Sequence, residues 1–163
     1  MQSWDTANKA TDMSDYSVCT TWERHDGEYY LVDVLRERLL YPDLRRRVVD
    51  HAKAFGAKTL LIEDKGSGTA LLQDISYNDV RPVNEIFPIE PVGDKVMRMS
   101  AQSARIEAGR VYIPERADWL DDFRTEILQF PNGRHDDQVD SLSQFLNWAE
   151  RNRSVVELWR NMS

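Results

Sequence analysis

Apolar residues in the first quarter of the chain follow a strand-like pattern. They fall into three short runs, at residues 2–5, 16–24 and 28–35, and the last two are rich in β-branched and aromatic residues. A polar segment, residues 6–15, separates the first two runs. Asp26-Gly27 stands between the second and third, and this dipeptide is typical of tight hairpin turns. The pattern predicts a three-stranded antiparallel meander.

The rest of the chain alternates between helical and extended patterns. Apolar residues at helical spacing predict helices near residues 42–55, 67–75, 94–108, 119–130 and 135–151. Extended runs predict a buried strand at 58–63, a strand at 83–89 interrupted by Pro88, and a short extended piece at 111–114. The tail, residues 154–163, is expected to form a loose short helix. This order predicts a mixed α/β layer fold of the ribonuclease H-like kind, with a meander, then parallel strands, and flanking helices.

Length and composition favour one globular domain. The chain has 163 residues, 41% of them hydrophobic, and no linker-like segment divides it. We therefore expect a single domain over residues 1–163, with its core at about 2–151 and a tail at 152–163. The lone cysteine, Cys19, lies in an apolar run and is expected to pack in the core. No run approaches the ~18 apolar residues of a membrane span, so we expect no membrane contact.

The net charge is acidic, with 21 basic against 28 acidic residues and a balance of −7. This balance argues against a protein held on nucleic acid by a broad basic surface. It does not exclude a nuclease, because carboxylates that bind metal ions add to the acidic count. A partner or another domain could then supply the grip on DNA.

Five acidic residues occur where carboxylates are unusual. Asp5 and Glu63 end apolar strands, and Asp136, Asp137 and Asp140 stand at the start of the last helix. If the strand at 58–63 pairs beside the first, these three distant segments converge. Acids repel one another and resist burial, so a cation among them is expected.

Two Mg²⁺ or Mn²⁺ ions would suit such a cluster, because hard divalent cations take oxygen ligands. In two-metal phosphodiester hydrolysis, one ion activates water and the other, roughly 4 Å away, stabilises the leaving oxygen. On the helix, Asp137 and Asp140 share a face at a spacing of three, and Asp136 and Asp140 share one at four. Spacing alone does not choose between them. Asp136 and Asp137 could instead simply favour the helix N-terminus.

Other polar residues are weaker candidates. His135 could assist proton transfer, although an exposed histidine at a helix start is more often inert. Lys65, Lys95, Arg98 and Arg105 could contact a DNA backbone, and a solvated helix face is the alternative for the last three. The segment at residues 66–69 lacks the spacing of an ATP-binding phosphate loop.

Three motifs together resemble a known family, the C-terminal nuclease domain of the large terminase subunit of tailed phages or prophages. They are Ser3-Trp4-Asp5, then Leu61-Ile62-Glu63-Asp64-Lys65-Gly66-Ser67-Gly68, and Gly133-Arg134-His135-Asp136-Asp137-Gln138-Val139-Asp140-Ser141. The resemblance covers roughly residues 2–150. It implies a ribonuclease H-like fold and two-metal cleavage of double-stranded concatemeric DNA during genome packaging.

By motif position, the resemblance makes Asp5, Glu63 and Asp137 the core metal ligands. Asp140 becomes the expected fourth, because related resolvases carry an Asp-x-x-Asp pair at this helix start, and Asp136 remains the competitor. It also implies a host-cytoplasmic location and, as partners, a terminase ATPase domain, the small terminase subunit and the portal. The chain carries neither Walker motif, so we expect it to be the nuclease half, excised from a longer protein that has the ATPase upstream.

Two other functions stay open at this point. A ribonuclease H-like junction resolvase would use the same acids on four-way junctions. A non-catalytic interaction module of a packaging complex would carry an idle site and would not need metal.

Overall fold

The computed structural model describes residues 1–7, 15–77 and 82–160. Residues 8–14 of the predicted polar segment lie outside the described ranges. Within those ranges every helix is either too short or too polar to span a bilayer.

The described strands form one six-stranded sheet in the order β5-β4-β1-β2-β3-β6. They are β1 (Gln2–Asp5), β2 (Ser17–His25), β3 (Glu28–Glu37), β4 (Thr59–Glu63), β5 (Glu85–Ile89) and β6 (Val111–Tyr112). β1, β2 and β3 pair antiparallel, while β4 runs parallel to β1 and β5 runs parallel to β4. The predicted ribonuclease H-like mixed sheet is confirmed. Part of the short extended segment predicted at 111–114 forms β6, an edge strand that pairs parallel with β3.

Helices cover both faces of the sheet. They are α1 (Tyr41–Ala54), α2 (Ser67–Tyr77), α3 (Lys95–Glu107), α4 (Leu120–Gln129) and α5 (Asp137–Arg160). Residues 154–160 of the tail are helical, as predicted, but they continue α5 without a break instead of forming a separate helix. Residues 161–163 of that prediction lie outside the described ranges. Pro88 does not interrupt β5, since β5 lies at the sheet edge, where a missing backbone N–H need not remove a ladder bond.

Local sequence explains the tight turn of the meander. Asp26 and Gly27 both adopt positive φ, 50° and 84°. A two-residue hairpin turn of this hand matches the twist of the flanking strands, and Asp-Gly tolerates it at low cost. The turn sets the pairing of β2 and β3 from His25↔Glu28 to Trp22↔Leu31, beyond which an irregularity shifts the register.

The core has two layers, one on each face of the sheet. Leu60 and Ile62 of β4 face a cluster formed with α1 and α2, whereas Leu61 between them joins a cluster with α5. All three are fully buried, as expected of a continuous apolar run in a central parallel strand. Cys19 is also fully buried, which confirms its core role.

Candidate active site

The parallel pairing of β1 with β4 brings two carboxylates together. Trp4 pairs with Ile62 in register, so Asp5 and Glu63 follow at adjacent strand ends. Both residues are half-buried. Their backbones leave the sheet at the same edge, which is the usual location of ligand sites in sheets with parallel strands.

The turn after β4 depends on Gly68. A Cβ atom at this position would collide with the backbone carbonyl oxygen of Glu63. The Ser67 hydroxyl donates to the carbonyl oxygen of Ala7 at 2.5 Å, which ties the start of α2 to the chain just past β1. The glycine therefore permits the close approach that keeps Glu63 and the end of β1 side by side.

Buried hydroxyl groups dock α5 onto β1. The Ser141 hydroxyl donates to the Ser3 carbonyl oxygen at 2.8 Å, and the Ser3 hydroxyl donates to the Ser141 carbonyl oxygen at 2.9 Å. The Gln144 amide donates to the Ser3 hydroxyl at 2.9 Å and to the Trp4 carbonyl oxygen at 3.2 Å. This network sets the height of α5 against the strand that ends in Asp5.

The first turn of α5 is held by a buried acid on α4. Oxygen Oε1 of Glu126 accepts from the backbone N–H of Gln138 at 2.6 Å and of Val139 at 3.3 Å, and Oε2 accepts from the Gln138 side chain at 2.6 Å. Arg36 of β3 approaches the same carboxylate at 3.9 Å. Amides at a helix start need acceptors, and Glu126 supplies them where solvent does not reach.

These elements enclose a cleft of about 460 Å³. The cleft brings together all five acidic residues predicted from the sequence, namely Asp5, Glu63, Asp136, Asp137 and Asp140. Exposed Lys65 also lines it, together with Tyr16, which directly precedes β2, and with Lys95 and Arg98 from α3. A smaller adjoining cavity of about 100 Å³ shares Asp5, Glu63 and Asp140 and reaches Trp148.

Burial and like charge perturb two of these carboxylates. Burial raises the pKa of Asp5 well above its ordinary value, and repulsion and a hydrogen bond from Glu63 raise this pKa further. Asp140 and Asp137 add smaller repulsions to the same pKa. Burial also raises the pKa of Asp137 to about 6, aided by the charges of Glu126 and Asp136. Both carboxylates are therefore poorly compensated.

Asp136 and Asp140, by contrast, are paired with cations. The Lys95 Nζ lies 2.6 Å from Asp136 and 3.1 Å from Asp140. Arg98 donates to the other oxygen of Asp140 at 2.8 Å. Asp136 precedes the helix, and its carbonyl oxygen accepts the first helical hydrogen bond, from the Asp140 N–H. Within the described ranges no basic side chain lies within ion-pair distance of Asp137.

His135 and Arg105 lie outside the acidic cluster. His135 stacks edge-on against Tyr16, with ring centroids 5.6 Å apart, and lines a different cavity beside Glu126. Arg105, considered as a DNA contact, pairs with Glu150 of α5 at 3.0 Å. Lys95 and Arg98 likewise pair with acids at the start of α5. The solvated-face alternative is wrong for Arg98 and Arg105, whose side chains are only 18% and 11% exposed.

The roles of several residues around the site were not predicted from sequence. In sequence, Glu126 resembles any surface acid on an amphipathic helix. Its position three residues after Phe123, on the apolar face of α4, was nevertheless a signal that its side chain is buried. Ser3 and Ser141 are small polar residues within apolar patterns and gave no distinctive pattern. The pairing of Lys95 with Asp140 spans 45 residues of sequence, and no periodicity reports it.

The chemistry of the donors fits divalent cations. The acidic side chains offer carboxylate oxygens only, which suits Mg²⁺ or Mn²⁺. The raised pKa of Asp5 indicates that its charge lacks a compensating cation. The Lys95 ammonium group, which contacts Asp136 and Asp140, indicates that these two carboxylates attract a cation. Within the described ranges, no group of three or more His, Cys, Asp or Glu side chains converges closely enough to hold one ion. The ligand roles of Asp5, Glu63, Asp137 and Asp140 thus remain predictions.

The sheet order and an acidic cleft at the ends of β1 and β4 define an α/β domain of the ribonuclease H-like class. Residues 2–148 match a family model described as the terminase RNase H-like domain. The chain belongs to this family, which confirms the predicted family and supports a nuclease role in phage DNA packaging. A comparison with curated proteins found no match.

Proposed function

We propose that this domain is a divalent-metal-dependent endonuclease that cuts double-stranded concatemeric DNA during genome packaging. The observation that carries the proposal is the meeting of Asp5 and Glu63 at adjacent parallel strand ends, opposite the acidic first turn of α5. Asp5, Glu63 and Asp137 would hold the ions, with Asp140 as the further ligand on the helix side. When bound, two such ions activate water and stabilise the leaving oxygen of a phosphodiester.

The protein's own contribution is to hold these carboxylates in fixed positions. Ser141 and Gln144 fix α5 against β1, and Glu126 fixes its first turn. Preorganised ligands lower the reorganisation that accompanies the reaction. Lys65, which is exposed and lines the cleft, would contact a DNA phosphate. The ATPase domain, the small terminase subunit and the portal would supply the remaining grip on DNA.

The test is nicking of supercoiled plasmid in the presence of Mn²⁺. Asp5→Asn is expected to abolish nicking, because it removes a carboxylate that interacts with Glu63, Asp140 and Asp137. Asp64→Asn is the matched control, since Asp64 follows Glu63 directly but accepts from Thr69 at 2.7 Å and lines a separate cavity. If Asp5→Asn cuts as fast as wild type, the proposed site is wrong.

A four-way junction offered beside the plasmid separates the resolvase alternative. A packaging nuclease should cut linear and supercoiled duplex, whereas a resolvase should strongly prefer the junction. A non-catalytic module should cut neither substrate at any Mn²⁺ concentration.

A further inference from the structure

A line of basic and polar residues on α3 faces α5 and ends in the acidic cleft. Lys95, Arg98, Gln102 and Arg105 recur at spacings of three and four, which places them on one helix face. Gln102 donates to Asn147 at 2.8 Å and Arg105 pairs with Glu150. The face therefore lies against α5 along three turns of helix, and its first member, Lys95, reaches the cleft.

The position of Lys95 is fixed locally as well. Asp94 caps α3, and its side chain accepts from the Met97 N–H at 2.9 Å. Arg98 donates to the Gly93 carbonyl oxygen at 2.9 Å while it also contacts Asp140. The helix start that carries Lys95 is therefore held from both sides, and its ammonium group bridges Asp136 and Asp140 at 2.6 and 3.1 Å.

The two halves of the acidic cleft thus differ in their counter-charges. On the helix side, both oxygens of Asp140 contact protein cations, one from Lys95 and one from Arg98. On the sheet side, no described basic residue lies within ion-pair distance of Asp5 or Glu63. A divalent ion can reach Asp5 and Glu63 directly, but an ion that binds Asp140 must displace an ammonium group.

We propose that Lys95 is a positioning residue that controls metal loading, by occupying the helix-side ligand Asp140 until a divalent ion displaces it. The metal-free chain then accepts one ion readily, at Asp5 and Glu63, and a second only in competition with Lys95. This inference rests on the proposed function for its metal sites. It assigns Lys95 a role at the carboxylates in place of the DNA contact considered from sequence.

The test counts bound Mn²⁺ without DNA and without any activity measurement. Purified chain, stripped of metal by chelation, is titrated with MnCl₂, and free Mn²⁺ is followed by its electron paramagnetic resonance signal. Wild type is expected to bind one ion tightly and a second weakly. Lys95→Met should bind the second ion about tenfold more tightly, because a competing unit charge in contact with Asp140 has been removed.

Three further variants make the result specific. Lys95→Arg keeps the positive charge and should bind Mn²⁺ as wild type does. Lys53→Met removes the same charge from an exposed position on α1, away from the cleft, and should also match wild type. Lys95→Gln repeats the test with a polar side chain and replaces Lys95→Met if that protein unfolds.

Coincident Mn²⁺ curves for wild type and the two neutral Lys95 variants would overturn the inference. That result would leave the nuclease proposal intact wherever Asp5-dependent nicking is observed. Conversely, tighter Mn²⁺ binding by Lys95→Met in a chain that never cuts DNA would support the role of Lys95 and refute the nuclease proposal alone.

Discussion

The carboxylate of Asp5 is placed at a cost to the fold. It is half-buried and lies at the strand end adjacent to that of Glu63, and no described basic residue compensates its charge at ion-pair distance. Burial and nearby like charges favour the protonated form of the Asp5 carboxyl group. At pH values above its ordinary pKa, ionisation of this group therefore opposes folding. Sites that bind substrates or ions often carry such local destabilisation.

Removing this charge should stabilise the metal-free protein. Because the pKa of Asp5 is raised in the folded state, its ionisation weakens folding as pH rises through the folded-state pKa. Below the unfolded-state pKa both states are protonated, and the effect disappears. We expect Asp5→Asn to raise the free energy of unfolding by about 1 kcal/mol near pH 7.5.

Urea unfolding in EDTA, at about pH 7.5 and again at about pH 3.5, measures this difference. The gain should shrink towards zero at the lower pH. Asp64→Asn serves as the control and should show no comparable gain. A destabilised Asp5→Asn at neutral pH would show that the carboxylate supports the fold instead of straining it.

At the scale of elements, the start of α5 is positioned by contacts from β1 and α4. The contact from α4 is the one most sensitive to a single substitution. Glu126 alone accepts hydrogen bonds from two backbone amides and one side chain of α5. Glu126→Ala would leave these donors without acceptors in a buried place. We expect a loss of about 2–4 kcal/mol in the free energy of unfolding, measured by urea.

Glu126→Gln is the conservative comparison. It keeps one acceptor oxygen for the Gln138 N–H, so it should lose clearly less stability than the alanine variant. Equal losses in the two variants would show that the charge, and its approach to Arg36, matters more than the hydrogen bonds to α5.

The tight junction between β4 and α2 gives a second prediction at this scale. Gly68→Ala forces a Cβ atom against the Glu63 carbonyl oxygen, so it should cost about 2–3 kcal/mol and also reduce nicking. Gly56→Ala is the control, because its φ is +56° but open space surrounds it. It should cost only about 1 kcal/mol of backbone strain and leave nicking unchanged.

Element by element, local chemistry was enough to predict most of the fold. The Asp26-Gly27 turn and the apolar run of β4 were predictable because neighbours in sequence determine them. The ends of helices at Gly56 and Gly109 were equally local, since both glycines adopt positive φ. Parallel strand order was inferred from the family-like pattern, because pairing between distant strands leaves no periodic trace in the sequence.

The same distinction applies to the site. Asp5 and Glu63 stood out because an acid that ends an apolar strand is unusual at each position alone. The partners of Asp140 could not be predicted, because they depend on how α3 packs across α5. Sequence alone therefore predicted the acids but not their counter-ions, and the counter-ions distinguish Asp137 from Asp136 and Asp140.

For the whole molecule, the net charge of −7 means that bound divalent cations should increase the stability of the folded state. A ligand that binds only the folded state stabilises it by about 2.7 kcal/mol at a concentration 100 times its Kd. We expect MnCl₂ or MgCl₂ to raise Tm in a concentration-dependent way. Asp5→Asn should lose most of this shift while Asp64→Asn retains it, as followed by circular dichroism. Equal shifts in all three proteins would indicate general screening of surface charge.

One aromatic side chain, Trp148, allows cation binding in the cleft to be followed by luminescence. Trp148 lines the small cavity that also contains Asp5, Glu63 and Asp140, and its ring packs 5.4 Å from Phe87. An indole so close to the carboxylates can act as an antenna for a luminescent lanthanide such as Tb³⁺. Excitation of Trp148 would then sensitise emission from the bound Tb³⁺, so the time course of ion binding in the cleft could be measured.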